Sequence, residues 1–153
     1  MRRRVCFLLM LAAPVLAAAD EPAIPADATR AFETAYAASF YEFDACGDGL
    51  SGRSYRRALS EKVAQCPFPA EVKQRFVLRA AAQRQKSAKA MAKLIEDNGG
   101  LPVRLDGMTR TCREQSETAE YQAIRARLDA FSAGKLGVDG VVPAACDAAV
   151  VSP

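Results

Sequence analysis

The chain has 153 residues, with 21 basic and 18 acidic side chains, no histidine and no tryptophan. The lack of histidine excludes Ser-His-Asp and Cys-His catalytic arrangements, histidine-ligated metal sites and the side chain that most often moves protons near neutral pH. Arg2, Arg3 and Arg4 account for the whole positive excess, so the chain from Asp20 onward is neutral and bulk charge makes no case for nucleic acid as a partner.

Those three arginines open a leader. Residues 5–16 are apolar and contain Pro14, and Ala17-Ala18-Ala19 supplies the small residues that a signal peptidase reads before Asp20. The apolar run is too short for a spanning helix, which needs about 20 residues. The expectation is a secretory signal peptide over 1–19, cleaved near Ala19, that takes Cys6 with it. The product is then periplasmic or extracellular, with no transmembrane segment after cleavage. Residues 20–26, with two prolines, read as a loose arm, 27–147 as a single helical domain and 148–153 as a tail.

Four stretches show helical spacing. In the first, over 27–45, Phe32, Tyr36, Phe40 and Phe43 recur on one face, with Asp27 as N-cap and Gly47 and Gly49 as the stop. In the second, over 54–65, Tyr55, Leu59, Val63 and Cys66 repeat that pattern before Pro67 and Pro69 end it. The third, over 69–97, starts at a favourable proline and puts Val72, Phe76, Ala80, Gln83, Ser87, Ala90, Met91 and Leu94 on one side; Asn98-Gly99-Gly100 stops it. Residues 102–110 read as a loop. The fourth starts at Thr111, whose spacing to Glu114 forms a capping box, and carries Tyr121, Ile124, Leu128 and Phe131 to a stop at Gly134. Residues 136–153 show little helical pattern, and only 138–142 approaches a strand.

The expected fold is therefore all-α: an antiparallel four-helix bundle, disulfide-linked, with an irregular C-terminal tail. An even set of cysteines in an oxidising space reads as two bridges. In an up-and-down order Cys46 and Cys112 share one end and Cys66 and Cys146 the other, which gives the pairs Cys46–Cys112 and Cys66–Cys146. Sequential pairing, Cys46–Cys66 and Cys112–Cys146, is the alternative, and needs the loop and tail to double back. Each bridge stabilises by roughly 3–4 kcal/mol in the chain-entropy model.

The motifs are sparse. There is no CxxC pair, no phosphate loop and no dinucleotide fingerprint. Asp44, Cys46, Asp48 and Gly49 fall on calcium-hand positions, but Cys46 replaces an oxygen ligand and Tyr55 stands where a bidentate Glu is required, so a turn anchored by a disulfide is the expectation. No metal or cofactor is implied. Phe32, Tyr36, Phe40, Phe43 and Phe76 read as core rather than as the lining of a pocket.

Charge is unevenly spread. Residues 20–48 carry seven acidic side chains against one basic, and residues 53–93 carry eleven basic against two acidic. On the third helix Arg75, Arg79, Lys86, Lys89 and Lys93 share one side, a solvated face that could also dock an anionic surface. No aromatic residue interleaves them for base stacking, which argues against nucleic acid. Glu33, Glu42, Glu61 and Glu71 are available for carboxylate chemistry, but their spacing selects no pair.

These features point to an exported helical protein acting as a binding or structural component, with an unknown protein or envelope component as partner. The alternative is an envelope-associated protein that docks anionic lipid or polymer through the basic stripe. A carboxylate-dependent hydrolase is less favoured, and no catalytic residue is assigned.

Overall fold

A computed structural model describes residues 27, 29–98 and 110–153. The expected leader, the arm and the loop over 102–109 lie outside the described residues. What is described is helical, without a strand: α1 (Arg30–Glu42), a 3-10 turn (Asp44–Cys46), α2 (Gly49–Gln65), α3 (Ala70–Asp97), α4 over 110–116, α5 (Ala119–Ser132) and α6 (Val138–Val141). None of these helices is long and apolar enough to cross a membrane.

Four helical stretches are expected and six are seen among the described residues. The expected fourth helix is two. Thr111 lies inside α4, so the expected capping box does not open a helix there. The chain breaks at Glu117 because Ser116 Oγ donates to the Arg113 carbonyl and Thr118 Oγ1 to the Gln115 carbonyl, competing with helical amides. Thr118 then N-caps α5, accepting from the Tyr121 amide. Residues 138–142, nearest to a strand in sequence, form α6 instead.

Two other boundaries moved. Thr29, not Asp27, precedes α1. Helix α2 begins five residues before Ser54, because the Asp48 carboxylate accepts from the Ser51 amide and caps a turn that Gly49 and Gly52 would otherwise weaken.

Among α1, α2, α3 and α5 the direction alternates. Phe32 meets Phe68 and Tyr36 meets Phe76, so α1 and α3 run parallel; Tyr121 bonds Asp48 and Ser132 bonds Ser54, so α5 runs with α2. The packing order is α3, α1, α2, α5, with α6 against α2 and α5. Among the described residues α3 and α5 do not pack on each other. A single core results, centred on Phe32, Tyr55, Leu59, Phe76 and Leu128. Val151, in the tail, is buried in it too, while Val150 beside it is exposed.

Helix α3 outruns its neighbour. Val72, Phe76 and Ala80 are buried as expected, but Gln83, Ala90 and Leu94 of the same side are exposed. Helix α1 has 13 residues against 28 in α3, and its bond from the Tyr41 hydroxyl to the Ser87 carbonyl comes one residue before α1 ends.

Cys46 pairs with Cys112 (Cα–Cα 5.3 Å) and Cys66 with Cys146 (5.6 Å), the connectivity expected rather than the sequential alternative. One bridge stands at each end of the molecule.

Candidate functional site

The polar features gather at the Cys46–Cys112 end. There α1 stops at Glu42, tightens into the 3-10 turn, and reverses at Gly47, whose φ of +81° falls where a side chain would be strained. The disulfide ties this turn to α4.

Asp44 is the hub of the turn. Arg56, only 9% exposed, donates from Nη1 to Asp44 Oδ2 (3.0 Å) and to Ser39 Oγ (2.9 Å), and from Nη2 to Asp44 Oδ1 (3.3 Å). Arg84 donates to the same Oδ2 from Nε (3.1 Å) and Nη2 (2.6 Å). One carboxylate thus joins α2 and α3 to the turn through charge-assisted bonds. Gly52 makes room: a Cβ there would lie 2.5 Å from Asp44 Oδ1 and 3.2 Å from Phe43 Cβ.

Asp48 is the second fixed acid. The Tyr121 hydroxyl donates to its Oδ2 at 2.7 Å, and the Ser51 amide donates to its Oδ1 at 3.3 Å. Burial works against its charge, but the bonds from Tyr121 and Ser51 and the nearby Arg125 outweigh it, and the carboxyl sits below its usual range. The Tyr121 hydroxyl is pushed up in turn, by burial first and then by its bond to Asp48. These groups face an open concavity of about 490 Å³, lined among others by Gly47, Arg113, Gln115 and Arg125.

A second concavity, of about 360 Å³, shares Gln115 and Tyr121 with the first. Its wall includes Glu42, Phe43, Glu120 and Ile124. Burial raises the Glu42 carboxyl above its usual range, and its Oε2 is enclosed with no hydrogen-bond donor among the described residues. The fully buried Tyr55 hydroxyl is also without a partner there; burial, then the Glu42 charge, opposes its ionisation.

The residues singled out from sequence divide sharply. Cys46 and Cys112 frame this end, and Cys66 and Cys146 frame the other. The calcium-hand positions Asp44, Cys46 and Asp48 are taken up by arginines, a disulfide and a helix cap. Arg75, Arg79, Lys86, Lys89 and Lys93 are all exposed on α3 and line neither of these two concavities; Arg79 borders a third, of about 400 Å³, with Asp27, Arg30 and Glu33. Lys93 is spent on Asp97, and Arg75 donates to the Glu71 carbonyl. Of the candidate glutamates, Glu33 accepts from Thr29 and Glu61 pairs with Arg57, while Glu42 alone enters a described concavity at this end. Phe43, expected as core, is core on one side and cavity wall on the other.

Arg56, Arg84, Tyr121 and Arg125 were not anticipated as site residues. Only Asp48 left a local trace, since an Asp three residues before a Ser at a helix start is a cap pattern.

Comparison with family models, curated proteins and solved structures finds no match to this chain.

Proposed function

We propose that this chain is an exported helical binding protein of the periplasm or extracellular space, and that its working surface is the end closed by Cys46–Cys112. The observation that carries this reading is the pair of adjoining concavities there, one bordered by Arg113 and Arg125 and the other by Glu42 and Glu120. Concave sites with a few convergent polar groups, built where helices meet, are the usual form of small-ligand sites. The leader sequence supports export, and two cross-links in a chain of this size suit an oxidising space. To test this, the oxidised protein purified after export is labelled with nitrogen-15 and titrated with the low-molecular-weight fraction of an envelope extract. Amide shifts should gather on Gly47, Gln115, Ser116 and Tyr121 and leave Val63 and Val141 unmoved. Shifts confined to α3, or none, contradict the proposal.

A second reading keeps the basic face of α3 as a dock for anionic lipid. It is favoured by the exposure of all five cations on one helix. It predicts cosedimentation with phosphatidylglycerol vesicles that falls with added salt and with Lys86, Lys89 and Lys93 changed to Gln. Binding that ignores both changes contradicts it.

A further inference from the structure

We propose that the Cys46–Cys112 bridge is a thiol-exchange site, opened by a dithiol reductant and closed again by oxidation, and that opening it releases α4 while the rest of the fold stays. Exchange at this bridge needs no bound ligand, so it stands or falls apart from the binding reading. The two bridges differ in access. Cys66 is 1% exposed within the apolar core. A thiolate attacking its bridge must either reach that sulfur or expel it as a buried anion, and both are costly. Cys46 and Cys112 are both partly exposed, and both border the open concavity of about 490 Å³. Arg113 and Arg125 border it with them, and the charge of its acid, Asp48, is taken up by the Tyr121 hydroxyl and the Ser51 amide. The attacking and the leaving sulfur are both anions, and arginines beside the bridge favour both.

Anchoring decides what opening does. No residue from 110 to 118 is buried. Apart from the bridge, the side-chain bonds that tie α4 to other helices among the described residues are a long one from Gln115 Nε2 to the Glu42 carbonyl (3.4 Å) and an exposed one from Gln122 to the Ser116 carbonyl. The other half of the bridge is held independently of sulfur. Asp44 ties its turn to Arg56 and Arg84, and Asp48 caps α2 and accepts from Tyr121. Cutting the bridge therefore leaves the turn in place and frees α4, a local opening rather than unfolding. In the exchange, a thiolate of the dithiol attacks one bridge sulfur, forming a mixed disulfide and breaking the Cys46–Cys112 bond. The displaced sulfur leaves as a thiolate and takes a proton from water. The reductant's second thiol, losing its proton, then displaces the other protein sulfur and closes the reductant's own disulfide. The protein gains two electrons and two protons, and the dithiol loses them.

The test treats the oxidised protein with dithiothreitol near neutral pH, without denaturant, and follows each cysteine by timed alkylation and peptide mapping. Cys46 and Cys112 should become labelled at least about ten-fold faster than Cys66 and Cys146, because exchange follows access and the stability of the leaving thiolate. Bridges that open at the same rate, or Cys66–Cys146 opening first, overturn the proposal. Carbon-13 shifts in the half-reduced protein read the second half. Residues 110–116 should move from helical to coil values while Val63 and Leu128 stay unmoved. A helical α4 after reduction, or loss of the whole fold, overturns it. Oxidised glutathione should restore the original shifts, and failure to restore them contradicts a bridge that closes again. Arg113→Gln combined with Arg125→Gln, both at exposed positions, should slow the opening roughly three-fold at low salt, an effect that mere exposure of the bridge does not give. An unchanged rate in that variant overturns the part assigned to the arginines, and with it the site as built.

Discussion

The two ends of the molecule are closed by the same covalent device and differ in almost everything else. At the Cys66–Cys146 end, Cys66 is buried in the apolar core with its chain neighbours Val63, Phe68 and Val72, and an exposed Asp139 pairs with Lys62. Stability there comes from apolar area removed from water, and little polar desolvation opposes it. At the Cys46–Cys112 end, Asp44 gathers two arginines, Asp48 holds a tyrosine, and Glu42 Oε2 is enclosed with no hydrogen-bond donor among the described residues. Charges and open space survive where packing is incomplete. A protein that needed only stability would have filled that end with side chains, so departures of this kind are where function is expected.

The contrast can be broken from either side. The largest effect should come from replacing Cys66 and Cys146 with Ala. The loop they close spans 80 residues, so roughly 4 kcal/mol is lost with the cross-link, with a further cost because Cys66 is also a core residue. Urea denaturation should show a larger fall for this pair than for Cys46 and Cys112, whose loss should instead disorganise the concavities. Asp44→Ala comes next, at about 3 kcal/mol, the lower part of the range for orphaning a buried ion-pair partner, since Arg84 is 37% exposed and can turn to water. A drop below about 0.5 kcal/mol would mean the cluster is a surface ornament.

Asp48→Ala should cost about 1–2 kcal/mol through the lost cap and the orphaned Tyr121 hydroxyl. The Asp48 carboxyl is depressed in the folded state, so its contribution is present above pH 3.8 and is lost as pH falls below that value. Glu42 has the opposite sign. Its carboxyl is raised in the folded state, so the fold binds the proton more tightly than the unfolded chain does, and stability falls as pH rises above 4.5 through the folded value. Glu42→Gln should therefore raise the melting temperature near neutral pH, with the advantage fading in acid; a melting temperature that is unchanged or lower contradicts an enclosed, unpaired carboxylate. The smallest effect belongs to Lys86, Lys89 and Lys93 changed to Gln, each within about 0.5 kcal/mol, because these side chains are exposed.

The packed end was the more legible in sequence. The spacing of Tyr55, Leu59, Val63 and Cys66 states a buried face directly, and alternating helices leave the cysteines one economical pairing. The charged end was not legible, because its links are between residues far apart in the chain. Asp44 and Arg84 are 40 residues apart, and Asp48 and Tyr121 are 73 apart. A carboxylate oxygen like Glu42 Oε2, enclosed without a donor among the described residues, has no sequence pattern at all. The errors were local contests as well. Thr111 and Glu114 have capping-box spacing, yet the cap that forms is Thr118, four residues beyond that Glu, because its hydroxyl and that of Ser116 turn the chain at Glu117.

Peptide mapping of the unreduced protein recovered from its cell of origin tests the central claim most directly. The account predicts an N-terminus at Asp20, a peptide joining Cys46 to Cys112, another joining Cys66 to Cys146, and no alkylatable thiol. A chain still carrying Met1, with its four remaining cysteines free to react or joined in another order, would contradict it.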